Sequence, residues 1–269
     1  AGDICNNALT LPQKAEGRMR YHNFVEASGF VPAVAEERFR RSVALFNQYE
    51  EYCPGANSIV PHAPYSVSAA LWEQIIRFPG NRLLTIHNQE SLSENELFMQ
   101  GGGEFLRLYE MLGMDISFFR PSGKSSLQTY LPGFLPEQSL LLVHNVYTTR
   151  EDVRFARETG IDTWWCLCPN ANLYITGHLP DMAMLVQEKQ RMVLGTDSLA
   201  SNHQLSILAE MQAIRRHIPS VTDDQLFGWA TLNGARALQL DAALGSFDRG
   251  KQPGVVLSST DLASAQRLL

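Results

Sequence analysis

The amino-acid sequence predicts an α/β protein with a parallel sheet, and more specifically a (β/α)8-type barrel. Short apolar runs alternate with longer amphipathic stretches, and the runs are apolar almost throughout, as in strands buried on both faces. Several runs end in a polar side chain, namely His62, His87, His144 and Asp197. In a barrel all strands end at one mouth, whereas an open doubly wound sheet collects its ligands at one switch point. These strand ends therefore favour the barrel.

The apolar runs predict six strands, and residues 1–4 predict the end of a seventh. A closed barrel of this type needs eight strands. One strand is therefore missing from the predicted set. The six runs are residues 21–27, 57–63, 82–88, 139–145, 163–168 and 191–197.

The stretches between these runs predict helices. Residues 32–52 place apolar side chains at spacings of three and four, and residues 66–78 open with a serine cap. Residues 148–160 begin with Thr-x-x-Asp and end in glycine, which marks both helix termini. Further helices are expected in residues 203–217 and 223–240, and a Gly/Lys turn then leads into a short apolar strand.

Composition excludes two classes of function. The chain has 269 residues with a net charge of −6 and no basic cluster, so we expect no nucleic-acid partner. No apolar stretch approaches about 18 residues, so we expect no membrane span. The C-x-C spacing of Cys166 and Cys168 is wrong for a zinc knuckle, and we interpret the four cysteines as structural residues of a reducing cytoplasm.

Some of the polar strand ends have the chemistry of a metal hydrolase. His87 and Asp197 are suitable zinc ligands, because zinc binds imidazole nitrogen and carboxylate oxygen and keeps a position open for water in catalytic sites. Glu90 follows His87 by three residues and would move protons between that water and a substrate. His144 could be a further ligand, or could hydrogen-bond to the water or to a developing anion.

A series of motifs resembles the amidohydrolase superfamily, and most of all its adenosine-deaminase-like and chlorohydrolase-like branch. The resemblance covers essentially the whole chain, and His-x-x-Glu after one strand with Gly-Thr-Asp after a later one is specific as a combination. It implies a barrel in residues 1–243 and a return to a small β-sandwich in residues 244–269. The motifs are VPHAPYSVS, TIHNQES, LLVHN, CLCPNANLYI, VLGTDSLASN, ATLNGARALQL and GSFDRGKQPG.

The resemblance implies a role for each residue that matches a motif. His87 and Asp197 would bind the metal, and Asp197 would also accept a proton from the nucleophilic water. Glu90 would protonate a ring nitrogen of the substrate, and His144 would polarise the water or the leaving group. His62 would contact the substrate. The loop residues Asn172 and Asn202 are candidate substrate contacts, with loop capping as an equal alternative.

The sequence departs from this family at its N-terminus. The family places His-x-His at the end of the first strand, but the sequence contains no such pair. We therefore interpret the chain as N-terminally truncated, without the first strand and most of the sandwich. The full-length enzyme would bind one divalent metal, with zinc expected, and this chain could lack it. Exposed strand edges would favour a homo-oligomer.

The predicted function is metal-dependent hydrolytic deamination of an aminated purine-like or related heterocycle, with water as the second reactant. Two alternatives stay open. One is hydrolysis of a C–Cl or amide bond in a ring substrate. The other is a metal-free, inactive barrel that acts as a scaffold in the truncated form.

Overall fold

The computed structural model describes residues 1–268, and its strands and helices alternate as expected for an α/β protein. No helix in this part of the chain combines the length and the apolar character that a membrane crossing requires. The strands are β1 Gly2–Cys5, β2 His22–Ala27, β3 Asn57–Pro61, β4 Leu83–Asn88, β5 Ser139–His144, β6 Asp162–Leu167, β7 Met192–Leu194, β8 Val256–Ser258 and β9 Ala265–Arg267.

Helices connect almost all of these strands, and several begin at side-chain caps. Ser68 and Ser206 each accept a hydrogen bond from the backbone three residues on, and Thr222 forms a capping box with Gln225. The α-helices are α1 Leu11–Ala15, α2 Ala35–Tyr52, α3 Ala69–Ile76, α4 Leu92–Gln100, α5 Glu104–Met111, α6 Ser126–Tyr130, α7 Arg150–Thr159, α8 Pro169–Ile175, α9 Met182–Gln187, α10 Ile207–His217, α11 Asp223–Ala230 and α12 Leu232–Ala237.

The chain divides into two compact units. The first unit comprises Ala1–Leu141 with Arg154–Asp162, and the second comprises Leu142–Val153 with the described chain from Thr163 onwards. Strands β5 and β6 and helix α7 contribute residues to both units.

The first unit is built on parallel strands. β1 pairs with β2 from Gly2 opposite His22, and β2 pairs with β3 from Asn23 opposite Asn57. Every residue of β3 is buried. The backbone N–H of His87 donates to the carbonyl oxygen of His62 at 3.0 Å, which places the end of β4 beside the end of β3. The continuous apolar runs are thus strands covered on both faces.

An aromatic cluster fixes the helices that follow β4. Phe30 stacks on Tyr109 with ring centroids 4.9 Å apart, and Leu97 and Phe98 of α4 complete the buried group. The hydroxyl of Tyr109 donates to the carbonyl oxygen of Tyr65 at 2.6 Å. Helices α4 and α5 are therefore held against the segment that follows β3.

The second unit contains the parallel pair β6 and β7, in which Trp165 lies opposite Met192. Just after β7, Gly195 packs against two sulfur atoms. A Cβ on Gly195 would lie 2.9 Å from Sγ of Cys166 and 3.1 Å from Sγ of Cys168. The short strands β8 and β9 form an antiparallel pair.

Most predicted elements are present, with shorter or interrupted bounds. The strand predicted at residues 191–197 ends at Leu194, and the helix predicted at residues 223–240 is divided into α11 and α12. The domain boundary after residue 243 and the missing first strand stay predictions.

We expect Gly195→Ala to destabilise the fold by about 1–3 kcal/mol, because the added methyl group overlaps two buried sulfur atoms. A second change, Cys166→Ala, should recover part of this loss by removing one of those atoms. Urea denaturation measures both values.

Gly228→Ala in α11 is the matched control, because its Cβ would meet no atom within 4 Å. The same chemical change should there stabilise the protein by about 0.5–1 kcal/mol through helix propensity. Equal effects at the two glycines would contradict the steric explanation.

Candidate active site

Two predicted site residues, His144 and Asp197, lie where the backbone adopts a left-handed conformation. Positive φ angles occur at Gln89 (46°), His144 (79°), Asn145 (62°) and Asp197 (56°). Such angles are uncommon outside glycine and cluster at functional positions, where the surrounding structure stabilises them. The backbone therefore sets the direction of particular side chains at the ends of β4 and β5 and in the loop after β7.

The first unit brings three titratable side chains together at the ends of β2, β3 and β4. Oε1 of Glu26 lies 2.5 Å from Nδ1 of His62 and 3.9 Å from Nδ1 of His87. The two imidazole rings are 4.7 Å apart between centroids. The three side chains are between 13% and 33% exposed, so solvent reaches them.

Hydrogen bonds fix the proton positions on both rings. Nδ1 of His87 lies 2.7 Å from the carbonyl oxygen of His62, which can only accept, so this nitrogen carries a proton. Nδ1 of His62 likewise donates to the carboxylate of Glu26. In a neutral imidazole the lone pair is then on Nε2, the state in which histidine binds a metal or accepts a proton.

These three residues fit a divalent metal ion. Their ligand atoms lie within 4.8 Å of one another, and zinc accepts both imidazole nitrogen and carboxylate oxygen. Because the Nδ1 atoms are donors, the Nε2 atoms of His87 and His62 are the ones that can act as ligand or acceptor. Glu26 also orients the His62 ring, as carboxylates commonly do for metal-bound histidines.

The loop after β4 contains Glu90 and is bonded to the fully buried carboxylate of Glu94. Oε1 of Glu94 accepts from the backbone N–H of Gln89 at 2.9 Å and from Oγ of Ser126 at 2.6 Å. Its Oε2 accepts from the backbone N–H of Glu90 at 3.4 Å. Burial raises the pKa of the Glu94 carboxyl to about 7, because desolvation outweighs these donors and the nearby charge of Glu90 adds to it.

Amide side chains complete the support of this loop. Nε2 of Gln89 donates to Oδ1 of Asn95, and the hydroxyl of Tyr130 donates to Oδ1 of Asn88 at 2.7 Å. The backbone N–H of Ser126 also donates to Asn95 at 3.0 Å. These amides therefore bind the loop to α6, which is a capping role.

In the second unit a buried amide holds His144. Nδ1 of His144 lies 2.8 Å from Oδ1 of Asn172, so Nδ1 is the donor and Nε2 carries the lone pair. Nδ2 of Asn172 is buried and has no hydrogen-bond partner among residues 1–268. An unmet buried donor costs about 1–3 kcal/mol, and in native structures it indicates a ligand or water that completes it.

Asp197 lies three residues beyond β7, and a serine orients its carboxylate. Oγ of Ser201 donates to Oδ2 of Asp197. Nearby, a hydrogen bond from the Cys168 thiol to Cys166, together with burial and the charge of Asp197, raises the pKa of the Cys168 thiol. A protonated, buried thiol is unreactive, which agrees with a packing role for Cys168.

A second buried glutamate supports the loops of this unit. Glu210 accepts from the backbone N–H of Asn170 at 2.8 Å and from Nδ2 of Asn202 at 2.7 Å. Nδ2 of Asn202 also donates to the carbonyl oxygen of Thr196 at 2.8 Å. Burial raises the pKa of Glu210, with the charge of Asp197 as a smaller cause. A substrate contact by Asn202 stays a prediction.

The predicted residues lie in both units. His62, His87 and Glu90 belong to the first, and His144, Asn172, Asp197 and Asn202 belong to the second. The joint metal site of His87 and Asp197 therefore stays a prediction.

The sequence reasoning missed Glu26, Glu94 and Glu210. Glu26 had a usable signal, since it is a charged residue inside the apolar run FVEA. The sequence signal of Glu94 was weaker and consisted of its spacing of four residues from Glu90. Glu210 had no sequence signal that distinguishes it from a solvated helix residue.

The sequence of the chain matches a known protein family. The model of the amidohydrolase family matches residues 18–266. The 5-methylthioadenosine/S-adenosylhomocysteine deaminase of Teredinibacter turnerae is 29% identical over 203 residues, which cover 73% of this chain and 41% of that protein. The chain spans about half the length, or less, of such curated relatives.

Solved structures agree on the fold. Helicobacter pylori aminofutalosine deaminase superimposes with a TM-score of 0.82 at 23% identity, covering 93% of this chain and 63% of that one. An adenosine deaminase from Xanthomonas campestris with bound zinc gives a TM-score of 0.64 at 23% identity, covering 93% and 54%. At this identity the likeness establishes the fold alone, and it confirms the predicted α/β barrel class.

We expect the contribution of Glu94 to the free energy of unfolding to decrease as the pH rises from about 4.3 to about 7. These limits are the ordinary pKa of glutamate and the raised pKa of Glu94. In this window the folded chain retains a proton that the unfolded chain has released, so rising pH favours unfolding. Glu94→Gln should remove this contribution, which is at most about 1.4 kcal/mol per pH unit. Urea denaturation of both proteins across the window measures it, and parallel pH curves would contradict it.

Proposed function

The chain belongs to the amidohydrolase family, and from this premise we propose that it catalyses the hydrolytic deamination of an aminated purine-like heterocycle. The relatives' names support this choice, because they include methylthioadenosine, 5'-deoxyadenosine and aminofutalosine deaminases. The reactants are then a small heterocycle and water. We also propose a cytoplasmic location, which four free cysteines favour, and self-association.

One divalent metal ion, with zinc as the expected ion, supplies a water of lowered pKa when it is bound. We propose that His87 holds it through Nε2 and that Asp197 holds it through its carboxylate. A zinc-bound adenosine deaminase among the structural matches supports this choice of ion.

Different residues of the chain then carry out the separate proton transfers. Asp197 accepts a proton from the attacking water, and His144 accepts a hydrogen bond or proton at Nε2. Glu90 delivers a proton to the ring nitrogen as the water oxygen bonds to the ring carbon. The carbon–nitrogen bond to the amino group then breaks, the amino group leaves as ammonia with the proton held by Asp197, and the proton of the new hydroxyl group returns to Glu90 as the carbonyl group forms.

The proton positions on the histidines carry this proposal. His87 and His144 each donate from Nδ1 to a fixed oxygen acceptor, at 2.7 and 2.8 Å. Both rings therefore present an Nε2 lone pair without a conformational change, which is the form needed for metal binding and for proton acceptance.

Two residues are proposed to contact the substrate directly. Nδ2 of Asn172 is a buried donor without a partner among residues 1–268, so an acceptor atom on the heterocycle would complete it. His62 is the most exposed of the three grouped side chains in the first unit, at 33%.

The test is ammonia release by the zinc-supplied chain over a panel of aminopurine nucleosides, guanine and chlorinated triazines, with chloride measured in parallel. We expect ammonia from the aminopurines. His87→Ala and Glu90→Gln should each lower the rate by about 100-fold or more, because they remove a proposed metal ligand and a proton donor. Binding of methylthio-coformycin, the ligand in one structural match, should require zinc.

His217→Ala is the control for the histidine change, because its Nδ1 also bonds a backbone oxygen, that of Ala213 at 2.8 Å, away from the site. It should leave zinc content and ammonia release unchanged. Chloride release without ammonia would support the C–Cl alternative, and a chain that binds neither zinc nor methylthio-coformycin would support the scaffold alternative.

A further prediction separates the two roles of Asn172. Asn172→Asp keeps an oxygen acceptor for Nδ1 of His144 but removes the NH₂ donor, so we expect weaker substrate binding by about 10-fold. Asn172→Leu removes both groups and should also lower kcat. Steady-state KM and kcat measure the difference, and an unchanged KM in Asn172→Asp would show that the NH₂ group does not contact substrate.

A further inference from the structure

We propose that Glu94 is a positioning residue for catalysis, because its buried carboxylate holds the backbone of Gln89 and Glu90 and thereby places the Glu90 side chain. The inference rests on the proposed function, in which Glu90 delivers a proton. It assigns a role to a carboxylate that lies four residues beyond that of Glu90 in the sequence.

The contacts of Glu94 differ from those of an ordinary helix cap. Glu94 is the third residue of α4, where a glutamate commonly reaches back to the N–H of the capping residue. Here the carboxylate reaches further, to the consecutive N–H groups of Gln89 and Glu90, at 2.9 and 3.4 Å. Ser91, the residue at the cap position, makes no side-chain capping bond.

The two amides converge on one carboxylate because the chain turns sharply between β4 and α4. Gln89 has a φ of 46°, and this left-handed residue points successive N–H groups into one concavity. Without an anion or other acceptor there, two buried donors would be unsatisfied, at about 1–3 kcal/mol each. The carboxylate therefore fixes the peptide that leads into Glu90.

The position of Glu94 is itself fixed. The side chain is fully buried, and Oγ of Ser126 donates to it at 2.6 Å. Ser126 begins α6, so Glu94 links the loop to a helix distant in sequence. A side chain with so little freedom transmits a defined geometry, and misplacement of a catalytic group by about 1 Å can cost about 100-fold in rate.

The experiment compares Glu94→Gln with wild type in the zinc-supplied chain. The amide retains one oxygen acceptor but turns NH₂ towards an N–H group, so the loop loses part of its hold. We expect kcat to fall by about 10- to 100-fold, with KM and zinc content little changed. Thermal stability at pH 8 should change little, because the variant loses one acceptor for a backbone N–H but no longer buries a carboxylate.

Glu96→Gln is the matched control, since Glu96 lies on the same helix, is half-buried and bonds the side chain of Ser93. It should leave kcat unchanged. Amide hydrogen exchange over residues 88–92 gives a readout independent of activity, and Glu94→Gln should exchange faster there.

The outcomes separate the two proposals. Unchanged exchange, or unchanged kcat in an active protein, overturns the positioning role of Glu94. A loss of activity that follows a loss of thermal stability also overturns it, because a structural role alone would explain that result. If wild type releases no ammonia although exchange accelerates in Glu94→Gln, the proposed deamination is wrong and the hold on the loop is confirmed.

Discussion

The arrangement of the strand-end loops depends on buried carboxylates that satisfy backbone N–H groups. A loop that turns back into a helix at the end of a buried strand leaves donors without secondary-structure partners, and leaving them unpaired in a core is costly. Glu94 accepts from two such amides in the first unit, and Glu210 accepts from the amide of Asn170 in the second. Both glutamates lie in the first turn of a helix, where the helix dipole favours a negative charge.

This constraint explains why unfavourable local conformations persist at the candidate site. Left-handed φ angles at Gln89, His144 and Asp197 each cost free energy, about 1–3 kcal/mol in sparsely populated regions. They are tolerated because hydrogen bonds hold the surrounding loops from several elements at once. Other hydrogen bonds set the imidazole proton positions, and the acceptors of His87 and His144 belong to neighbouring segments and not to their own strands. Loop geometry and histidine chemistry are thus both fixed by hydrogen bonds between elements.

The sequence predicted the parts of this structure that depend on local pattern. Apolar runs located the strands, and cap residues such as Ser68 and Thr222 located helix starts. Histidines at strand ends indicated where chemistry would be found, as at His87. Glu26 and Glu94 escaped prediction because their importance depends on tertiary neighbours, the imidazole of His62 and two loop amides. In a helix such as α10, nothing in the sequence distinguishes the buried Glu210 from a solvated glutamate.

The pKa of about 7 at Glu94 follows from competition within the network and is not a separate feature. Three donors favour the charged carboxylate, whereas complete burial and the neighbouring charge of Glu90 disfavour it. An aliphatic residue would avoid the desolvation cost but would leave the amides of Gln89 and Glu90 unpaired. A neutral amide would satisfy one of them and oppose the other with its own N–H groups. The carboxylate is therefore the side chain that can accept from both amides. Its desolvation, which raises the pKa of Glu94, follows from its buried position against this loop.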